Sequence, residues 1–436
     1  MSITLDTPPP SLAPPDTPPL PTTLDVTLNV TERPRIMLKS GTDIGNTEGT
    51  GYVTVSTRNL LGGAESASFS ASTGTRVRSA YDAFLTTPLL SNPDLNAFAV
   101  AYATSRSNQD FASHEEISKG GRIGLSYVSP ETRDKHELIY ESTWRRITDL
   151  LAEASASIRS EAGDSVKSAI RYSFTRDWRY PSSFPLRGYL FKSTTELAGR
   201  PYIGGDIHHL RNESEFQFST SIIPGARITN INTNTITNNP PTISSSETPD
   251  ARRKSPLHRF LEHTTLTTSL RSGIILPLSS APTRLPDRFQ LGGPTTLRSF
   301  QEGGLGPHDG KDSLGGDIYL AGSTSLLFPI PHLGPDKPIR FKIYCNGGRL
   351  LSWTRKGTKG VSDGGSHSSD NGVDIPDAIR RLVGHGAGWP STAAGIGLVY
   401  AHSIARVELN FGVPVVMRAG ERPRKGFQFG VGVNVM

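Results

Sequence analysis

Residues Leu291 to Pro307 read LGGPTTLRSFQEGGLGP, a glycine-rich run that holds one arginine between apolar neighbours. Two kinds of chemistry suit such a run. One is a phosphate cradle, which wants lysine and serine after its glycines; both are missing here. The other is structural. A guanidinium is always charged and offers five donors in a planar fork. It can pin a long loop by several charge-assisted hydrogen bonds, each worth roughly 1.5–3 kcal/mol net. A solvated turn has no need of Leu297 and Phe300 beside Arg298, so a sequestered loop is the better reading of the run than a surface arginine.

Other candidate chemistry is thin. The chain carries no Walker loop, dinucleotide fingerprint, HExxH, CxxC or GxSxG elbow. His208 and His209 are adjacent, so on a regular strand their side chains point to opposite faces and cannot share a metal. Glu115 and Glu116 read as loop or lumen charges, not as a catalytic dyad. The single Cys345 excludes an intrachain disulfide framework and any multi-cysteine metal site. The expectation is a non-enzyme with no cofactor and no metal. The net charge of +6 comes without a Lys/Arg block, so nucleic acid is not an expected partner.

The elements that must hold the arginine read as strands. With 44 Gly and 33 Pro in 436 residues, short turns are favoured over helices. Period-2 alternation recurs along the chain. Ala67, Phe69 and Ala71 alternate with Ser66, Ser68, Ser70 and Ser72; Val166, Ile170, Tyr172 and Phe174 oppose Lys167, Arg171 and Ser173. Near the end, Val407, Leu409 and Phe411 oppose Arg406, Glu408 and Asn410, and Phe427, Phe429, Val431, Val433 and Val435 follow. A soluble sandwich alternates as well. The segments, however, are long and number roughly sixteen between residues 33 and 436, which favours an antiparallel transmembrane β-barrel. Mean hydropathy is −0.33, but barrel strands hide from hydropathy because only every second residue faces lipid. Neither a secretory signal nor an arginine-rich transit peptide is visible.

The organisation expected is a proline-rich unstructured leader over 1–24, a strand within 25–32, and the barrel over 33–436. Pro34 suits the first position of an edge strand, where a missing N–H is tolerated. Residues 375–386 could form a short helix, and the helix-like TDLLAEASASIRSEAG more plausibly bridges two strands. Polar, low-complexity insertions span about 224–258 and 356–374.

The run from Asp287 to Pro331 strongly resembles the Omp85 superfamily, and within it the Sam50 (Tob55) family of the mitochondrial sorting and assembly machinery. The motifs are Gly292-Gly293-Pro294, Leu297-Arg298 and Ser313-Leu314-Gly315-Gly316-Asp317. Residues 36–65 resemble the family's first two strands and residues 403–436 its last two. The resemblance implies a sixteen-stranded barrel of the mitochondrial outer membrane. It would insert β-barrel precursors through a lateral gate between its first and last strands. Its partners would be those precursors, the other subunits of the machinery and outer-membrane lipid.

By the same resemblance, Leu297, Arg298, Ser299 and Phe300 form the loop-6 motif, on a loop that follows the eleventh strand and tucks into the lumen. Asn346, in Tyr344-Cys345-Asn346-Gly347-Gly348, and Asp317 are its candidate partners. Ile36, Leu38, Lys39 and Ser40 would form the gate on the first strand. Gln428, Gly430, Val433 and Val435 would form it on the last, where they also fit the polar-x-Gly-x-x-apolar-x-apolar β-signal. Ser299 departs from the motif, which has glycine there, so a positive φ at Ser299 would carry a cost. Only residues 25–32 resemble the family's POTRA domain, as its last strand, so most of that domain is expected to be missing here. Glycines 426, 430 and 432 either weaken the last strand or merely fit a crowded lumen. A passive porin-like channel, with selectivity set by Lys167, Arg171, Arg406 and Glu408, and a polypeptide-translocating Omp85 pore are the alternatives.

Overall fold

The computed structural model describes residues 2–6, 25–29, 34–44, 49–180, 185–199, 203–223, 260–279, 281–294, 296–330, 333, 338–353, 382, 389–401 and 405–433. The expected helix at 375–386, apart from Leu382, and both polar insertions lie outside these residues.

Sixteen antiparallel strands form one sheet in which every neighbour in space is the neighbour in sequence. They are β1 (Ile36–Ile44), β2 (Gly49–Arg58), β3 (Ser66–Gly74), β4 (Val77–Leu89), β5 (Asn92–Ser107), β6 (Glu115–Val128), β7 (Lys135–Thr148) and β8 (Gly163–Asp177). The second half comprises β9 (Arg187–Ala198), β10 (His209–Ser221), β11 (Thr265–Pro277), β12 (Ile318–Pro329), β13 (Ile339–Leu351), β14 (Ser391–Ala401), β15 (Ala405–Val416) and β16 (Gly426–Val433). The TDLLAEASASIRSEAG stretch does join two strands, β7 and β8, and contains only the short helix α1 (Ala156–Ser160). Among the described residues no helix is long and apolar enough to cross a membrane.

The alternation sorts side chains as expected. Ile123, Leu125, Ile170, Leu409, Phe411 and Phe427 lie exposed on the outer face, whereas Lys167, Glu196, Asn410 and Gln428 are buried on the inner one. The outer aromatics Tyr127, His136, Phe174 and Phe191 form a contiguous row near one rim, with centroids 5.1–6.3 Å apart. Such a row is the belt expected where a barrel meets the membrane–water interface. At the same rim β4 turns into β5 through Leu90 and Ser91, both at φ 55°. That is the left-handed geometry a two-residue hairpin needs to match strand twist.

Two features differ from a closed barrel with an unstructured leader. Among the described residues the sheet ends are unpaired: β1 ladders only with β2, and β16 only with β15. And Ser2–Asp6, inside the segment expected to lack structure, pairs antiparallel with Asp25–Asn29.

Candidate functional site

The loop after β11, residues 278–317, folds back on itself inside the sheet. Bridges Phe289↔Gly316, Leu291↔Leu305 and Gly293↔Leu297 zip it into a narrow double arm. Gly292 sits at φ 122°, and a Cβ there would lie 2.1 Å from the Gln301 carbonyl oxygen, so only glycine lets the arms close. Leu297, Phe300 and Leu305 are fully buried with Phe289 and Leu291 against Ile275, Tyr319, Leu350 and Ala393 of the wall. Burying each such side chain contributes roughly 1.5–3 kcal/mol. This packing is why an arginine motif in a loop carries leucine and phenylalanine.

Arg298 reaches β15, beyond the strands that pack on the loop core. Its Nη2 donates to Glu408 Oε2 of β15 at 2.9 Å. The Lys342 Nζ of β13 donates to the same oxygen, also at 2.9 Å. Both cations lie 5.4 Å from the Tyr344 ring centroid, within cation–π range. All three charged side chains are largely sequestered, with 16%, 14% and 3% exposure for Arg298, Glu408 and Lys342. A charge pair kept from water is worth more than one on the surface, and breaking it costs more.

Ser299 takes φ 69° and is 1% exposed. The left-handed backbone expected of a glycine is therefore adopted by serine, at a cost of roughly 1–2 kcal/mol. Its N–H donates to Gln428 Oε1 of β16 at 3.0 Å, and its carbonyl accepts from the Arg424 N–H at 2.9 Å. Room for its side chain comes from Gly412 on β15, where a Cβ would stand 2.1 Å from Ser299 Oγ and 2.4 Å from Tyr344 Oη.

The two expected partners of Arg298 need correction. Asn346 meets its backbone, not its guanidinium: with the amide oriented to satisfy both neighbours, it accepts from the Arg298 N–H at 2.7 Å and donates to the Ala393 carbonyl at 3.0 Å. Asp317 stands apart and accepts the Trp353 N–H at 3.0 Å. A backbone-locking amide and a distant carboxylate give the guanidinium nothing. Glu408, read from sequence only as a lumen charge, is its acidic partner. Nothing local marks Glu408 for this role, because 110 residues separate it from Arg298. The β-signal placed Gln428 correctly at the last strand but gave no hint that it holds Ser299.

The base of the loop is anchored separately. Arg145 of β7 grips Asp287 through two bonds at 3.1 and 2.9 Å, and Lys167 of β8 adds a third at 3.2 Å. Burial pushes the Asp287 carboxyl up, but Lys167 and Arg145 outweigh it and hold the pKa at about 2. Glu196, His209 and Asp287 converge closely enough to suggest metal ligands. The cation that Glu196 and Asp287 share is the Lys167 ammonium, so the cluster reads as a salt-bridge network. His208 turns instead to the Gly199 carbonyl, so the two histidines do part as their adjacency requires.

At the open ends, Ile36 and Leu38 of β1 face outward at 69% and 68% exposure, and Lys39 and Ser40 are also exposed. On β16, Gln428 is buried and Val433 pairs with Ala405 in the ladder, while Val435 lies outside the described residues. A Cβ added at Gly430 would meet nothing within 4 Å. Crowding therefore does not explain that glycine.

Comparison with known proteins agrees with this architecture. Residues 59–434 match the Omp85 superfamily domain. A SAM50-like protein of Schizosaccharomyces pombe is 34% identical over 413 residues, covering 95% of this chain and 75% of its own length. The human sorting and assembly machinery component 50 homolog is 30% identical over 421 residues, covering 96% of this chain and 76% of its own. The crystal structure of BamA from Haemophilus ducreyi lacking POTRA domains 1–3 superposes with TM-score 0.67 at 14% identity, covering 98% of this chain and 74% of that one. At that identity the likeness concerns the fold alone.

Proposed function

This chain belongs to the Omp85 superfamily, on its Sam50 branch, and from that premise we propose that it folds and inserts β-barrel precursors into the mitochondrial outer membrane through the seam between β1 and β16. The supporting observation is the coincidence of two features. Among the described residues the sheet ends are unpaired, and loop 6 is latched onto β15 and β16 beside that opening. Backbone N–H and C=O groups cannot remain unpaired in hydrocarbon. A seam left open is therefore a capacity to pair with another strand, and an incoming precursor strand satisfies it by β-augmentation.

The proposed work is strand exchange, with no catalytic residue and no cofactor. Glycine at 430, where a Cβ would meet only open space, keeps β16 easy to displace. The precursors, other subunits of the sorting and assembly machinery and outer-membrane lipid are the partners. A passive channel is the weaker reading, because a simple pore has no use for a loop whose Leu297, Phe300 and Leu305 build a core in the lumen.

Cysteines at Lys39 and Gly430 test the seam. Crosslinked barrels should lose precursor assembly in isolated mitochondria and regain it on reduction. Normal assembly by the locked barrel would count against the proposal.

A further inference from the structure

Loop 6 does not end its contacts at the last strands. Four residues after Arg298, Glu302 turns the other way. Its carboxylate takes a two-pronged contact from Arg76, of which the Nη2–Oε1 bond is 2.9 Å, and a third bond from Arg106 Nη2 at 3.3 Å. Arg76 lies in the turn between β3 and β4, is 6% exposed, and stacks over Phe111 with its guanidinium 5.6 Å from the ring centroid. The residue before it, Thr75, ties this turn to the start of β2, donating its N–H to the Gly49 carbonyl at 2.9 Å and accepting the Gly49 N–H at 3.1 Å. Gly49 in turn pairs with Ile44 of β1. At the other end of the segment, Ser299 holds Gln428 of β16 itself, and Arg422 of the β15–β16 turn exchanges backbone bonds with Gln301 and Gly304.

The segment Arg298–Glu302 thus connects the two ends of the sheet at one rim, with no ladder between β1 and β16 among the described residues. From Ser299 to Glu302 there are three peptide links, whose reach is at most about 10 Å. Resting on the proposed seam function, we infer that Glu302 is a positioning residue. With Arg76 and Arg106 it forms the second end of a strap across the seam, and release of either end lets the seam widen. The first end is the Arg298–Glu408 and Ser299–Gln428 latch. A strap differs from a latch in a measurable way, since it predicts coupling between the N-terminal turn and the last strand.

The test is a spin-label distance measurement on the whole barrel in nanodiscs. Labels replace the outward-facing Leu38 and Phe427, 68% and 70% exposed, in a Cys345→Ser background. Glu302→Gln keeps the side-chain shape and removes the charge. It should broaden the distance distribution about twofold, Arg76→Gln should do the same, and the double variant should match either single one, the non-additivity of partners in one interaction. Heat-modifiable gel mobility checks that each variant remains a folded barrel. An unchanged distribution in Glu302→Gln, or fully additive broadening in the double variant, overturns the strap. Precursor assembly is measured on the same variants. Broadening with an unchanged assembly rate supports the strap and defeats the gate reading. No broadening in Glu302→Gln, with assembly lost when the seam is crosslinked, defeats the strap alone.

Discussion

The wall formed by β1 to β5 and the wall formed by β7 to β16 have the same strand chemistry but different environments. Among the described residues of β1 to β5 none is buried, whereas every strand from β7 to β16 contains buried residues. The first wall shows the lumen hydroxyls such as Thr54 and Ser70, which bond each other at 3.0 Å. The second presents Arg145, Lys167, Glu408 and Gln428, each engaged by loop 6. Loop 6 therefore packs against one side of the lumen and reaches the other through Glu302. Such an asymmetry fits a device in which one wall is a rigid support and the other can move.

The largest break in this contrast should come from Glu408→Ala. It removes the carboxylate shared by Arg298 and Lys342 in a sequestered site, a loss on the order of 3–5 kcal/mol. Limited proteolysis should find the loop released while the strands remain heat-modifiable. Arg298→Ala comes next, at roughly 1.5–3 kcal/mol, because Lys342 still satisfies Glu408. Its expected signature is slowed precursor release with most strands intact, seen as an accumulating intermediate on native gels. Arg298→Lys should rescue poorly, since an ammonium lacks the flat guanidinium face that lies over Tyr344.

Two smaller effects sharpen the comparison. Ser299→Gly relieves a left-handed backbone worth roughly 1–2 kcal/mol but gives the unfolded chain back much of that in freedom. The net shift in thermal unfolding should be small, and a large loss would mean that the serine hydroxyl holds the loop. Ser70→Ala, on the open wall, should change stability by no more than about 0.5 kcal/mol. An effect as large as that of Arg298→Ala would erase the difference between the two walls.

Much of the fold was legible because barrel strands obey a local rule. Alternation at 166–174 and 407–411 sorted lipid-facing from lumen-facing side chains, and the structure keeps that sorting. The loop was legible from Gly292, Leu297, Arg298 and Phe300, which carry both the family resemblance and the core. What was not legible is what those residues touch. Arg298 found Glu408, and Glu302 found Arg76, across separations of 110 and 226 residues. Only the curl of the sheet brings such positions together, and no spacing rule reports on curl. The mistaken choice of Asp317 has the same origin: it is near in sequence, yet its carboxylate is aimed at the Trp353 amide.

Entry of precursors at the seam is best probed by crosslinking an arrested precursor. A cysteine in its terminal strand is paired with a cysteine at Leu38 on β1 or at Ser323 on the lumen face of β12. Entry at the seam gives efficient bonds to position 38 and none to position 323. Bonds formed at position 323 and absent at position 38 would contradict it.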